Sequence, residues 1–404
     1  MTAEPLSSAG AHQSTTSRVR RREPLAERLP VFPWDTLAAH RATAEAHPDG
    51  IVDLSVGTPV DATPSAIQEA LASGADSHGY PTTIGTPALR EALVDFCRRT
   101  FSAPASLGPA HVLPTVGSKE LVAHLPFQLG IGPDGAVAFP HIAYPTYEMG
   151  AIFVGATPVP VDVERLAAEG DMAFADAPGG LAAIDRLGLL WLNSPSNPTG
   201  AVLSVPQLRS IVEWARERGI VVASDECYAR LGWEVDAVPS ILDARVHGGD
   251  LTGLLCVYSL SKQSNLAGYR TAFVAGDEAL VGELTAIRKQ AGMMLPGPIQ
   301  TAMVAALADD AAADAEREVY RRRRDVLRPA VEAAGGSIPR SEAGLYLWAT
   351  FGESSEASVA RLADLGILVA PGMFYGGAGD GFVRMALTAP DERIDAAAAR
   401  LAPN

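Results

Sequence analysis

This 404-residue sequence predicts an α/β fold with a mostly parallel central sheet covered by helices on both faces, joined to a smaller α+β domain. Three observations carry the prediction. From about residue 51 to residue 285, short apolar runs alternate with stretches of helical periodicity. The runs are apolar on both faces, as strands are when helices cover them on either side. Beyond about residue 290 the texture changes to long helical segments followed by a few further strands.

Residues 1–28 are rich in Ser, Thr and Ala and then basic, without periodicity, and are expected to form a disordered tail. Order is expected from Leu29-Pro30-Val31-Phe32-Pro33-Trp34, whose large apolar groups need a surface to pack on, and residues 29–50 are assigned to the small domain. Residues 51–290 form the expected large domain. Its strand candidates are Val112–Val116, Ala136–Phe139, Leu189–Leu192, Ile220–Ser224, Leu254–Ser259 and Ala272–Ala275. Between two of these, Leu208, Ile211, Val212 and Ala215 keep the spacing of an amphipathic helix. Ligands of such sheets gather at the carboxyl ends of the strands, where the motif residues are expected to fall. Residues 291–404 complete the small domain. A helical region is expected from about Pro298 to Ala334, with Arg321–Arg324 as a solvated face. Strands follow at Leu345–Phe351, Ile367–Val369 and Phe382–Leu387, then a last helix at Asp391–Leu401.

Composition excludes several classes of function. Lys and Arg total 32 against 47 Asp and Glu, a net charge of −15, which gives no basic face for nucleic acid or anionic membrane. Anionic substrates must then be drawn in by local arginines. The three cysteines, Cys97, Cys227 and Cys256, are isolated and odd in number, and each is expected to be a buried free thiol in a reducing compartment. The eight histidines show no metal-ligand spacing, so no metal is expected, and His141 is read as a loop or packing residue. No apolar run reaches the ~18–20 residues that span a bilayer. Arg18-Val19-Arg20-Arg21-Arg22 is followed by the charged Glu23-Pro24-Leu25-Ala26-Glu27-Arg28 where an export signal would be apolar, so the expected location is the cytoplasm.

Five segments carry chemistry. In Ser259-Leu260-Ser261-Lys262, separated from Arg270 by seven residues, a lysine stands at the mouth of a buried strand between hydroxyls and a guanidinium. That setting suits an amine forming a Schiff base beside a bound phosphate. Thr115-Val116-Gly117-Ser118-Lys119-Glu120 follows a strand and opens a helix, which makes an anion cradle of backbone N–H groups. Asn193-Ser194-Pro195-Ser196-Asn197-Pro198-Thr199-Gly200 is a loop stiffened by two prolines and a glycine to hold an asparagine side chain. Ser224-Asp225-Glu226-Cys227-Tyr228 ends a buried strand with an acid that needs a partner, and a pyridinium nitrogen is a suitable one. Phe382-Val383-Arg384-Met385-Ala386-Leu387 places an arginine late in the chain.

In their order along the chain, over residues 30 to 404, these motifs resemble the class I/II pyridoxal-phosphate aminotransferases of fold type I. The resemblance implies pyridoxal 5'-phosphate held as an aldimine on Lys262, with Asp225 keeping the ring nitrogen protonated. It implies that Asn197 and Tyr228 bond the 3-oxygen, and that Tyr144, in Pro140-His141-Ile142-Ala143-Tyr144, stacks on the ring. Gly117, Ser118, Lys119, Ser259, Ser261 and Arg270 are implied at the phosphate. Tyr80, in Tyr80-Pro81-x3-Gly85-x3-Leu89-Arg90, is implied to reach the phosphate of a neighbouring subunit, which makes the protein a homodimer with shared sites. Gly57 is implied over the substrate, and Arg384 as a bidentate grip on the α-carboxylate. Transamination then runs as a ping-pong cycle in which the freed Lys262 amine moves the proton. One departure is Ala272, where the family usually has glycine.

Within the class, Leu192–Gly200, Ala223–Tyr228, Ser259–Lys262, Ser264–Arg270, Glu342–Ala349 and Gly366–Gly372 bring the chain nearest to actinobacterial N-succinyldiaminopimelate aminotransferases. The distal part of such a substrate is expected near Phe32 and Trp34 and near the loop Gly292–Gly297. Aspartate or aromatic-amino-acid aminotransferases, and a C–S lyase or decarboxylase on the same scaffold, remain alternatives.

Overall fold

The computed structural model of the protein describes residues 29–30 and 33–402; the expected tail at 1–28, together with Val31 and Phe32, lies outside them. After a two-residue strand β1 (Val52–Asp53), the chain builds a seven-stranded sheet. Its strands are β2 (Val112–Val116), β3 (Ala136–Pro140), β4 (Thr157–Val161), β5 (Leu187–Asn193), β6 (Val221–Asp225), β7 (Leu254–Ser259) and β8 (Thr271–Gly276). Their order across the sheet is β2-β8-β7-β6-β5-β3-β4. Neighbours from β7 to β4 pair parallel, and β8 alone is inverted, antiparallel to both β2 and β7.

The period-2 pleat sorts each strand's side chains onto two buried faces. Leu190, Leu192, Val222 and Cys256 join one core, packed against Leu89 and Phe96 of the helix Pro87–Phe101 and Leu208 and Ile211 of the helix Val205–Arg216. Leu189, Trp191, Ala223 and Val257 join the other, under Leu121 and Leu125 of the helix Ser118–Gln128 and Tyr147 of the helix Thr146–Val154. Both faces are covered, which is why these strands read as continuous apolar runs.

Two features of the sheet differ from expectation. Strand β4 is missing from the sequence reading because its Thr-Pro-Val-Pro-Val run contains two prolines. The edge position explains how they are tolerated: the Thr157 N–H faces inward to Gly135 O, so the even-numbered prolines fall where an N–H would point away from the sheet. The inversion of β8 corrects the expectation that every motif residue lies at a strand's carboxyl end. Arg270 immediately precedes β8, and the inversion brings that amino end to the edge where the parallel strands finish. Ala272 lies fully buried in the β8 ladder, in register with Thr115 and Ser259, so its methyl is accommodated without a break in pairing.

A second core surrounds a three-stranded antiparallel sheet ordered β11-β12-β9. Its strands are β9 (Tyr346–Ala349), β11 (Ala370–Pro371) and β12 (Val383–Ala386), while β10 (Ile367–Leu368) pairs parallel with β1. Thus β1, inside the range assigned to the large domain, joins β10 instead. The helical region expected from about 298 to 334 is two helices, Gly297–Ala308 and Asp310–Ala333. They break at Asp309, which leaves helical geometry and caps the second helix through the N–H of Ala312 at 2.9 Å.

The Arg321–Arg324 run is only half a solvated face. Successive residues turn by about 100° around a helix, so Arg321 and Arg322 face water while Arg323 and Arg324 are buried. Arg323 bonds Asp61 in a bidentate fork at 2.7 Å and Asp391 at 2.6 Å. Arg324 bonds Glu234 and Ser341. Removing a buried member strands its partners, whereas an exposed pair contributes little. Arg323→Ala is therefore expected to cost about 2–3 kcal/mol of stability and Arg321→Ala less than about 1 kcal/mol. Parallel urea unfolding curves of the two variants check the ranking, and equal losses would refute it.

Candidate active site

A cavity of about 500 Å³ lies where the ends of β5, β6, β7 and β8 meet the smaller sheet. Twelve of the fourteen predicted site residues line it: Gly57, Ser118, Lys119, Tyr144, Asn197, Asp225, Tyr228, Ser259, Ser261, Lys262, Arg270 and Arg384. Gly117 borders it through Arg270. Tyr80 does not reach this chain's own cavity and is 97% exposed.

The anion cradle forms because β2 ends at Val116 and the helix Ser118–Gln128 begins two residues later, leaving N–H groups free at its first turn. Gly117 joins them at φ +81°, and a Cβ there would stand 2.1 Å from an Arg270 guanidinium nitrogen. Only glycine lets that guanidinium close over the helix start. Opposite, the Ser259 and Ser261 hydroxyls lie 2.7 Å apart, and Ser259 Oγ donates to Thr271 O at 3.0 Å. Helix terminus, guanidinium and hydroxyls converge as a phosphate site does.

Lys262 Nζ donates to the carbonyl of Gly57. Burial lowers the ammonium pKa below that of an ordinary lysine, with Tyr346 opposing and Arg384 and Arg270 adding to the effect. The neutral amine, which is the nucleophile, is favoured. Gly57 can stand so close because a side chain there would collide with the Tyr346 hydroxyl, 2.2 Å from the Cβ position.

Asp225 closes β6 and is buried. Tyr147 Oη donates to one carboxylate oxygen at 2.9 Å, and the Cys227 N–H to the other at 3.2 Å. Burial raises its pKa and these donors only partly offset it; no cation among the described residues compensates the charge. A protonated ring nitrogen fits that need. The loop that follows β5 is held by Asn193, whose amide donates to Asp225 O at 2.9 Å and accepts from the Asn197 N–H at 2.7 Å. Asn197 Oδ1 in turn accepts from Arg384 Nη1 at 3.1 Å.

Arg384 is buried without an acidic partner among the described residues. Its second amino group donates to Ser55 O at 2.7 Å, and its Nε has no partner. Aromatic rings stand in for a counter-ion: Tyr346 lies 4.0 Å from the guanidinium carbon and Tyr375 5.0 Å. A buried guanidinium with a donor left over is a site for a carboxylate. Tyr228 Oη and Tyr346 Oη lie 3.2 Å apart, linking a second phenol of the cavity wall to the ring under Arg384.

The sequence reading missed Tyr147, Asn193 and Tyr346 as site residues. Asn193 and Tyr346 stand inside quoted motifs, but their contacts are tertiary, and Tyr147 has no signal beyond lying three residues after Tyr144. Cys227 departs from its expected apolar strand or helix: it sits in the turn after β6, half-buried, and lines the cavity. Cys97 and Cys256 are buried as expected, and all three are free. Within the single chain the loop Gly292–Gly297 lines neither this cavity nor the one beside it, and Leu295 is packed in the core. Trp34 does line the cavity; Phe32 lies outside the described residues. Among the described residues there is no cluster arranged to hold a metal, and no helix long and apolar enough to cross a membrane.

Behind Asp225, Glu226 points into the core, accepting from the Ile241 N–H at 2.8 Å and from Cys256 Sγ at 3.4 Å. Burial pushes its carboxyl up from 4.5 to about 7, against these bonds. With the folded pKa above the unfolded one, the stability tied to the protonated form is complete below about pH 4.5 and lost as pH rises through about 7. Raising the pH from about 5 to 8 should remove on the order of 2 kcal/mol through this group. Glu226→Gln should flatten that decline in calorimetric scans. An unchanged pH slope in the variant would discard the assignment.

Comparison with known proteins agrees with this geometry. The family described as aminotransferase class I and II matches residues 49–401. A relative from Streptomyces rimosus, 4-dedimethylamino-4-oxo-anhydrotetracycline transaminase OxyQ, is 53% identical over 92% of this chain and 99% of its own. LL-diaminopimelate aminotransferase of Aquifex aeolicus is 33% identical over 87% of this chain and 90% of its own. Among solved structures, a single mutant of Thermus thermophilus aspartate aminotransferase superposes with a TM-score of 0.82 at 25% identity, over 95% of this chain and 99% of that one. The chain belongs to the class I and II aminotransferases, a fold type I family that works with pyridoxal 5'-phosphate.

Proposed function

We propose that this aminotransferase takes the amino group of N-succinyl-L,L-2,6-diaminopimelate, with 2-oxoglutarate and glutamate as the other pair, in a cytoplasmic homodimer. The observation that carries an α-amino-acid substrate is Arg384, buried without an acid partner among the described residues and lining the same cavity as Lys262. The diaminopimelate part rests on the motif resemblance and on relatives named for diaminopimelate.

Each residue's part follows from its chemistry. Bound in this cavity, pyridoxal 5'-phosphate supplies a carbonyl electrophile and an electron-withdrawing ring. Ser118 and Lys119, through their N–H groups, with Gly117, Ser259, Ser261 and Arg270, hold its phosphate. Asp225 keeps the proton on the ring nitrogen, and Tyr147 and Asn193 keep Asp225 and Asn197 in place. Asn197 and Tyr228 donate to the ring's 3-oxygen, and Tyr144 covers the ring. Arg384 fixes the substrate carboxylate, with Gly57 above it, so that the α-hydrogen faces the Lys262 amine. That amine, its pKa lowered by burial so that the neutral form is favoured, takes the proton from the α-carbon and returns it as acid. Tyr80, exposed on this chain, serves the phosphate of the partner copy. Residues 51–290, apart from β1, act as the large cofactor-binding domain, with 29–50 and 291–404 as the small one.

Lys262→Ala should lower transamination by on the order of 10³-fold or more and abolish borohydride trapping of the cofactor. Trapping on another lysine would overturn the assignment. Mixing inactive Tyr80 and Lys262 variants should restore part of the activity through hybrid sites, and a monomeric active enzyme would contradict the shared site. The substrate is tested by kcat/KM across donors. The succinylated diamine should exceed aspartate, phenylalanine and kynurenine by about tenfold or more; parity would remove the substrate and leave the aminotransferase.

A further inference from the structure

A second cavity of about 860 Å³ opens beside the first, which measures about 500 Å³. The two share Trp34, Leu37, Lys119 and Tyr144, so whatever passes the ring-covering Tyr144 meets the second cavity across a common wall. Much of its lining is apolar and adaptable. Met149 and Phe153 come from the helix Thr146–Val154, and Met373 and Phe374 from the segment after β11. Phe374 packs on Trp34 with ring centroids 5.4 Å apart. Phe153 is 41% and Met373 59% exposed, large apolar side chains left open to solvent within the described chain.

The charges in this cavity are arranged against an anion. Glu148 and Glu356 line it and, among the described residues, no arginine does; His40 is bonded to Glu356 at 2.8 Å, and Lys119 stands at the wall it shares with the first cavity. A carboxylate moving inward would leave Lys119 and approach two like charges across apolar surface. Methionine and aromatic walls favour instead a neutral, bulky group of variable shape.

We infer that this cavity is the subsite for the acyl end of a long, N-acylated amino-acid side arm, and that it selects on apolar bulk rather than on a terminal carboxylate. The inference rests on the aminotransferase reading above, with Arg384 holding the α-carboxylate. The two distal carboxylates of the succinylated diamine, one on the succinyl group and one on the carbon bearing the acylated amine, fit only if turned back to Lys119 or out to solvent, and a neutral aryl acyl group fits without that constraint. The enzyme's substrate class is then wider than one succinylated diamine: α-amino acids whose remote amine carries an acyl or aroyl group.

The test uses the holoenzyme with Nε-succinyl-L-lysine, Nε-benzoyl-L-lysine and the short-armed L-norleucine. Nε-benzoyl-L-lysine should match or exceed the succinyl compound in kcat/KM. Met149→Trp, which fills the second cavity, should lower both acylated donors by about tenfold or more and change norleucine by less than about twofold. Met373→Lys, at an exposed rim position that the fold tolerates, should shift preference toward the succinyl compound. Titration calorimetry of Nε-benzoyl-L-lysine into the Lys262→Ala variant should show binding that Met149→Trp removes. A benzoyl donor more than about tenfold poorer than succinyl, or a Met149→Trp effect equal on all donors or absent, overturns the inference. Failure of every donor, norleucine and glutamate included, would instead overturn the aminotransferase reading.

Discussion

Arg384 is bonded at once to Asn197, held at the end of the large sheet, and to Ser55, just past the strand that joins β10. It rises from the middle of β12 in the smaller sheet. One buried guanidinium therefore ties together three segments far apart in sequence, and the cavity is the space around it. Burying such a charge without a carboxylate is costly, and the aromatic faces of Tyr346 and Tyr375 only partly replace the missing anion. The same reasoning applies to Asp225, buried against a tyrosine and a backbone N–H, and to the half-buried Lys262. Two unlike charges and a depressed amine are kept apart along one seam, each lacking the partner that a ligand brings. Ligands that supply those partners stabilise the fold as they bind.

That arrangement is tolerable because the surroundings are over-determined. The sheet behind the seam is covered on both faces by separate cores, and the helix Asp310–Ala333 is tied to the rest by Arg323 and Arg324. Those arginines do structurally what Arg384 does not: each has its acids in place. The contrast between a paired and an unpaired buried arginine separates scaffold from site.

Much of this was legible in the sequence. The strands from Val112 to Ala275 were visible as apolar runs because both faces of the sheet are dry, and the site motifs were visible because they cluster at strand ends. What stayed hidden depends on tertiary partners. The burial of Arg323 and Arg324 requires Asp61, Asp391 and Glu234, none of which is near them in sequence. Tyr147 and Tyr346 acquire meaning only once β6 and β12 bring Asp225 and Arg384 beside them. The inversion of β8 is invisible to hydrophobic pattern, since a buried strand reads alike in either direction. The β4 prolines argued against a strand, and only its place at the edge resolves the conflict.

Those prolines have a further consequence for how copies of the chain can meet. An open sheet edge is a template on which another chain can add a strand, and a regular edge invites uncontrolled stacking. At Pro158 and Pro160 the outer side of β4 offers no donor, so an incoming strand would find two rungs of its ladder missing. Growth of the sheet from molecule to molecule is blocked there by covalent structure rather than by charge. Association is left to side-chain surfaces, which can be complementary and finite, such as the one on which Tyr80 stands exposed.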